Sequence, residues 1–147
     1  MRNSKPILLV EDDSVDAMTV KRAFKELKVL NPLVLTTNGE EALEYLRGFP
    51  RSGVPNESNK KPCVILLDLN MPKMNGIEFL KVVKADEVLK KIPVVVLTTS
   101  KEESDIVESF KLSVAGYIVK PVDYKKFVEA IRAIELYWTL SELPDGG

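Results

Sequence analysis

Four places in the chain carry side chains that could do chemistry together. The acids Glu11, Asp12 and Asp13 follow the apolar run Ile7–Val10, and Asp68 follows Val64–Leu67. Thr98 and Thr99 follow Val94–Leu97, and Lys120, with Pro121 behind it, follows Gly116–Val119. Carboxylates gathered at one place repel strongly unless a cation sits among them. A hard divalent ion with oxygen ligands resolves this, and Mg²⁺ fits best, because it takes one or two protein carboxylates and fills its octahedron with water and phosphate oxygens. A lysine beside such an ion pairs with phosphate as a point charge, and a hydroxyl can donate to another phosphate oxygen. The set has the chemistry of phosphoryl transfer to a carboxylate nucleophile. The chain has no histidine, so Ser–His and Cys–His dyads and histidine metal sites are excluded.

Each residue alone has an ordinary reading beside this one. Asp12 and Asp13 can cap the helix that follows, and Asp13 is expected to do so. Asp68 can start a turn, Thr98 can simply end a strand, and Lys120 can be a solvated charge. What favours the chemical reading is that all of them sit at the same end of their apolar runs.

The elements that must position them are legible as alternating patterns. Five short runs read as strands: Ile7–Val10, Leu33–Thr36, Val64–Leu67, Val94–Leu97 and Gly116–Val119. Most are apolar at every position, as strands buried on both faces are. Five helix-like segments alternate with them, at about Ser14–Val29, Gly39–Gly48, Gly76–Ala85, Lys101–Leu112 and Asp123–Leu140. Val20, Phe24 and Leu27 make one stripe on the first. Ile77, Leu80 and Val83 or Lys84 make one on the third, and Phe127, Ile131, Ile134 and Trp138 one on the last. Alternation of this kind predicts an α/β fold, a doubly wound parallel sheet with right-handed crossovers. Five strands suit the flavodoxin-like order 2-1-3-4-5. Ligands of such folds bind at the C-terminal edge of the strands, which is where the acids, the threonines and the lysine fall.

These motifs together resemble the receiver domain of bacterial response regulators, over nearly the whole chain. The residues that carry the resemblance are Ile7-Leu8-Leu9-Val10-Glu11-Asp12-Asp13, Leu66-Leu67-Asp68-Leu69-Asn70-Met71-Pro72, Met74-Asn75-Gly76, Pro93 to Thr99, and Gly116-Tyr117-Ile118-Val119-Lys120-Pro121. The resemblance implies a two-component phosphoacceptor rather than an enzyme, one that supports its own Mg²⁺-dependent phosphorylation and dephosphorylation. It implies phosphorylation of Asp68 by a sensor histidine kinase or a histidine phosphotransfer protein. Asp12 and Asp68 would hold Mg²⁺ together with the Asn70 carbonyl, and Glu11 through water. Thr98 matches the switch hydroxyl, Tyr117 the switch aromatic and Lys120 the lysine of the pattern. The long loop after the second helix and the chain end at Ile134-Glu135-Leu136-Tyr137-Trp138 resemble the small regulators that partner phytochrome-type kinases.

Composition agrees with one receiver domain over residues 1–147, with a core at about 5–134, an exposed breaker-rich loop at about 47–62 and an extension at about 135–147. The net charge is −1, without the basic stripe of a DNA-binding module, so direct DNA binding is not expected. No run reaches the length of a membrane span and Met1 to Pro6 is no signal peptide, so a cytoplasmic location is expected. The lone Cys63 reads as a small core residue. A haloacid-dehalogenase-type phosphatase would need a second acid two residues after Asp68, where Asn70 stands. A flavodoxin needs a hydroxyl- and glycine-rich loop where this chain is acidic. Leu136, Tyr137, Trp138 and Leu140 point around much of the last helix. They form either a homodimer interface with the neighbouring strand or a staple folded onto the body.

Overall fold

The computed structural model describes residues 5–48, 61–69, 76–98, 114–119 and 124–141; the side chains of Thr98, Val119, Lys126 and residues 134–141 fall outside the description. The expected fourth helix, most of the expected loop, Asn70, Lys120, and the side chains of Ile134, Tyr137 and Trp138 therefore lie outside it.

Five strands, β1 (Ile7–Val10), β2 (Leu33–Thr36), β3 (Val64–Asp68), β4 (Val94–Thr98) and β5 (Gly116–Val119), form one parallel sheet in the order 2-1-3-4-5. The strands fall where the apolar runs fall. β3 and β4 each run one residue further than expected and take in Asp68 and Thr98. The reason is backbone pairing: Asp68 stands opposite Leu97, and Thr98 opposite Val119. A ladder can run on through a polar residue because the pairing groups are backbone N–H and C=O, not side chains.

Alternate side chains of each strand enter two cores. Leu8, Val10, Ile65, Leu67, Val94 and Val96 pack with α2 (Gly39–Arg47) and α3 (Gly76–Ala85). Ile7, Leu9, Val64, Leu66, Val95 and Leu97 pack with α1 (Ser14–Glu26) and the last helix (Tyr124–Ser141). Cys63 is buried in the second core, as expected of a small apolar residue. On α3 the centre of the apolar face is Phe79, fully buried beside Leu80 and Val83, while Ile77 is only partly buried. On the last helix Phe127 and Ile131 are buried as expected. A short 3-10 turn, Leu89–Lys91, precedes β4; periodicity gave no sign of it.

The first helix ends earlier than its apolar pattern suggested, at Glu26 rather than Val29. Lys28 takes the left-handed conformation, with φ 57°. Its N–H donates to the Lys25 carbonyl (3.1 Å) and the Val29 N–H to the Phe24 carbonyl (2.9 Å). These are the two reversed bonds of a Schellman cap. Val29 belongs to the apolar pattern because it packs on the core with Phe24 after the helix has stopped.

Lysines gather at the opposite edge of the sheet from the acids. Lys5, Lys61 and Lys91 precede β1, β3 and β4. Burial, and then the charges of Lys5 and Lys91, push the Lys61 ammonium below its ordinary pKa. No helix among the described residues is long and apolar enough to cross a membrane.

Candidate metal and phosphoacceptor site

The register of the sheet brings Glu11 and Asp68 to one level. Val10, the last residue of β1, stands opposite Thr36 of β2 and Leu67 of β3. The next residue on each side of the β1–β3 seam is an acid. Glu11 N–H donates to the Thr36 carbonyl (2.9 Å), and Leu69 N–H to the Leu97 carbonyl (3.2 Å). Both acids thus stand on backbone tied to a neighbouring strand.

The three successive acids have three different placements. Glu11 is 1% exposed, and one of its carboxylate oxygens accepts from the Asp13 N–H at 3.3 Å. Asp12 is exposed. Asp13 turns away to cap α1, accepting from the N–H groups of Val15 (2.8 Å) and Asp16 (3.1 Å). Its role as a cap was legible from its place before the helix.

Carboxylate oxygens of Glu11, Asp12 and Asp68 all lie within 4.8 Å of one another. Asp68 is 3% exposed. Two ionised carboxylates at that separation repel by roughly 3.5 kcal/mol at an effective dielectric constant of about 20. Such a cluster is stable when protons or a cation offset the charge. The donors are all oxygen, which suits a hard cation. Two are buried while the third faces water, which suits an ion that retains water ligands, as Mg²⁺ does. The residues present therefore fit a divalent ion.

The backbone of Thr98 ends β4 beside β5, on the same edge as Asp68. Tyr117, one strand further out, stands opposite Val96 and packs partly buried against the first core. The edge above β2 is different in kind. Thr36 is buried and donates its hydroxyl to the Leu9 carbonyl (3.2 Å). Asn38 caps α2 by accepting from the Glu41 N–H, and Glu41 in turn accepts from Thr37. The polar residues after β2 are thus used in starting a helix.

Residues 7–132 match the response regulator receiver domain family. The chain is 38% identical over 134 residues to the response regulator Rcp1 of Synechocystis sp., covering 91% of this chain and 88% of Rcp1. The crystal structure of the Mn²⁺-bound form of Rcp1 aligns with a TM-score of 0.75 at 37% identity, over 91% of this chain and 94% of that one. The bacteriophytochrome response regulator RtBRR aligns with a TM-score of 0.75 at 45% identity, over 88% of this chain and 76% of that one. The phosphorylated cyanobacterial phytochrome response regulator RcpA gives a TM-score of 0.77 at 38% identity, over 92% and 94% of the two chains. The chain belongs to the response regulator receiver domain family, and phytochrome response regulators are among its homologues.

Proposed function

We propose that this protein is a phosphoacceptor switch that receives a phosphoryl group on Asp68 from a sensor histidine kinase or a histidine phosphotransfer protein. The observation that carries the reading is the convergence of Glu11, Asp12 and Asp68 at the C-terminal edge of a parallel sheet. A carboxylate oxygen of Asp68 attacks phosphorus. The bond from phosphorus to the donor's imidazole nitrogen breaks, and an acyl phosphate forms. Asp12, Asp68, the Asn70 carbonyl and Glu11 would hold Mg²⁺, which when bound offsets charge on the phosphoryl oxygens. Lys120 follows β5 directly and supplies a positive charge to the phosphoryl group. Thr98 supplies a hydroxyl. When that hydroxyl engages the phosphate, Tyr117 turns inward and the surface beside β5 changes shape. The likeness to RtBRR and RcpA supports a phytochrome-type kinase as donor.

The test is labelling with acetyl phosphate in the presence and absence of Mg²⁺. The wild type should gain one acid-labile phosphoryl group, only with the metal, and Asp68→Asn should gain none. Undiminished labelling of Asp68→Asn would place the acceptor elsewhere.

A further inference from the structure

The chain leaves the sheet edge at Leu69 and returns at Gly76, and these two residues touch. The Gly76 N–H donates to the Leu69 carbonyl at 3.1 Å, and Gly76 is the buried first residue of α3. A Cβ placed on Gly76 would lie 2.5 Å from the Leu69 Cα, 2.7 Å from the Asp68 carbonyl oxygen and 2.9 Å from Leu69 Cδ2. Non-bonded carbons meet at about 3.5–4 Å. The Cδ2 atom ends a flexible side chain and can swing away. The other two atoms are backbone, and that backbone is pinned to β4 through the Leu69 N–H. Relief of the overlap requires α3 and the end of β3 to separate by a large fraction of an ångström. Glycine is a poor helix former, so helix propensity does not account for it here.

Resting on the assignment of Asp68 above, we propose that Gly76 is a positioning residue for the phosphoacceptor. Its bare Cα lets α3 seat against the Asp68–Leu69 peptide, and that seat fixes where the Asp68 carboxylate stands relative to Glu11 and Asp12. A side chain at position 76 would push on the same peptide that carries the reacting carboxylate. Displacements of about 1 Å from reacting geometry cost on the order of a hundredfold in rate.

The experiment compares Gly76→Ala with Val83→Ala, which removes buried volume from the same helix away from the peptide of Asp68. Two quantities are read: the rate of phosphorylation by acetyl phosphate and the Mn²⁺ affinity by electron paramagnetic resonance. Both are corrected for folded fraction and repeated in trimethylamine N-oxide, which raises that fraction without removing the overlap. Gly76→Ala should phosphorylate about ten- to a hundredfold more slowly per folded molecule and bind Mn²⁺ more weakly. Val83→Ala should match the wild type in both. Recovery of Gly76→Ala to wild-type values as it folds would overturn the proposal, leaving glycine a purely structural role. So would a Gly76→Ala chain that stays unfolded in the osmolyte. A wild type that takes no phosphoryl group defeats the Asp68 assignment instead, and Mn²⁺ affinity then decides the geometry of Gly76 on its own.

Discussion

Three adjacent carboxylic acids, Glu11, Asp12 and Asp13, show how little residue type says about role. Asp13 is tied to the first turn of α1, Glu11 is buried, and Asp12 reaches toward Asp68 from the solvent side. The proposed ligand set makes these differences measurable. Asp12→Ala should weaken Mg²⁺ binding by at least about tenfold, because even outer partners of metal ligands are worth about 10- to 100-fold. Asp13→Ala should leave Mg²⁺ affinity alone and cost about 1 kcal/mol of stability through the lost cap. Calorimetric titration with Mg²⁺ and urea unfolding of both variants separate the two effects. Equal Mg²⁺ affinity in Asp12→Ala and the wild type would remove Asp12 from the ligand set. Which acids meet was legible in the sequence, since each follows an apolar run. Their burial was not, because it depends on the Thr36 carbonyl that anchors Glu11 and on the cap that draws Asp13 away.

Secondary-structure elements were most legible where burial is two-sided. Val, Ile and Leu at every position of β1 and at the first four of β3 leave no amphipathic ambiguity, and the parallel order follows from the alternation with helices. Boundaries were less so, and Lys28 shows why. A helix that stops in a left-handed residue normally advertises it with glycine, and here the position holds lysine. Without that signal the apolar spacing of Val29 reads as one more helical turn. The same misfit yields a prediction. Lys28→Gly should stabilise the protein by about 0.5–1 kcal/mol, since relief of about 1–2 kcal/mol of left-handed strain exceeds the extra chain entropy lost by glycine. A raised urea midpoint with an unchanged slope would show it. A lowered midpoint would mean that the lysine is held there by contacts worth more than its strain.

At the scale of the whole molecule, the fold was legible because the acids, the threonines and the lysine all follow apolar runs in the sequence, and among the described residues the acids do meet at one edge of the sheet. The assembly was not, because an apolar helix end that favours an interface also allows a staple folded onto the body. The proposal that the last helix mediates a homodimer can be decided by sedimentation. The wild type should dimerise at micromolar concentration, and a Tyr137→Ala, Trp138→Ala double variant should stay monomeric, these being residue types that dominate interfaces. A wild type monomeric at high micromolar concentration would leave the staple. The lysines at the far edge have a consequence of another sort. Glu11, Asp12 and Asp68 stand at one end of the strands and Lys5, Lys61 and Lys91 at the other, so these six charges are separated along the strand direction. The net charge is only −1, so until a cation settles among the acids these six charges give the protein a dipole component along the strands. A dipole exerts torque before contact. A cationic surface would draw the acidic edge forward, and encounters would begin with that end leading. Salt shortens the reach of this torque to about 8 Å at physiological ionic strength. Ionic strength should then slow the approach of such a partner far more than it hastens its departure.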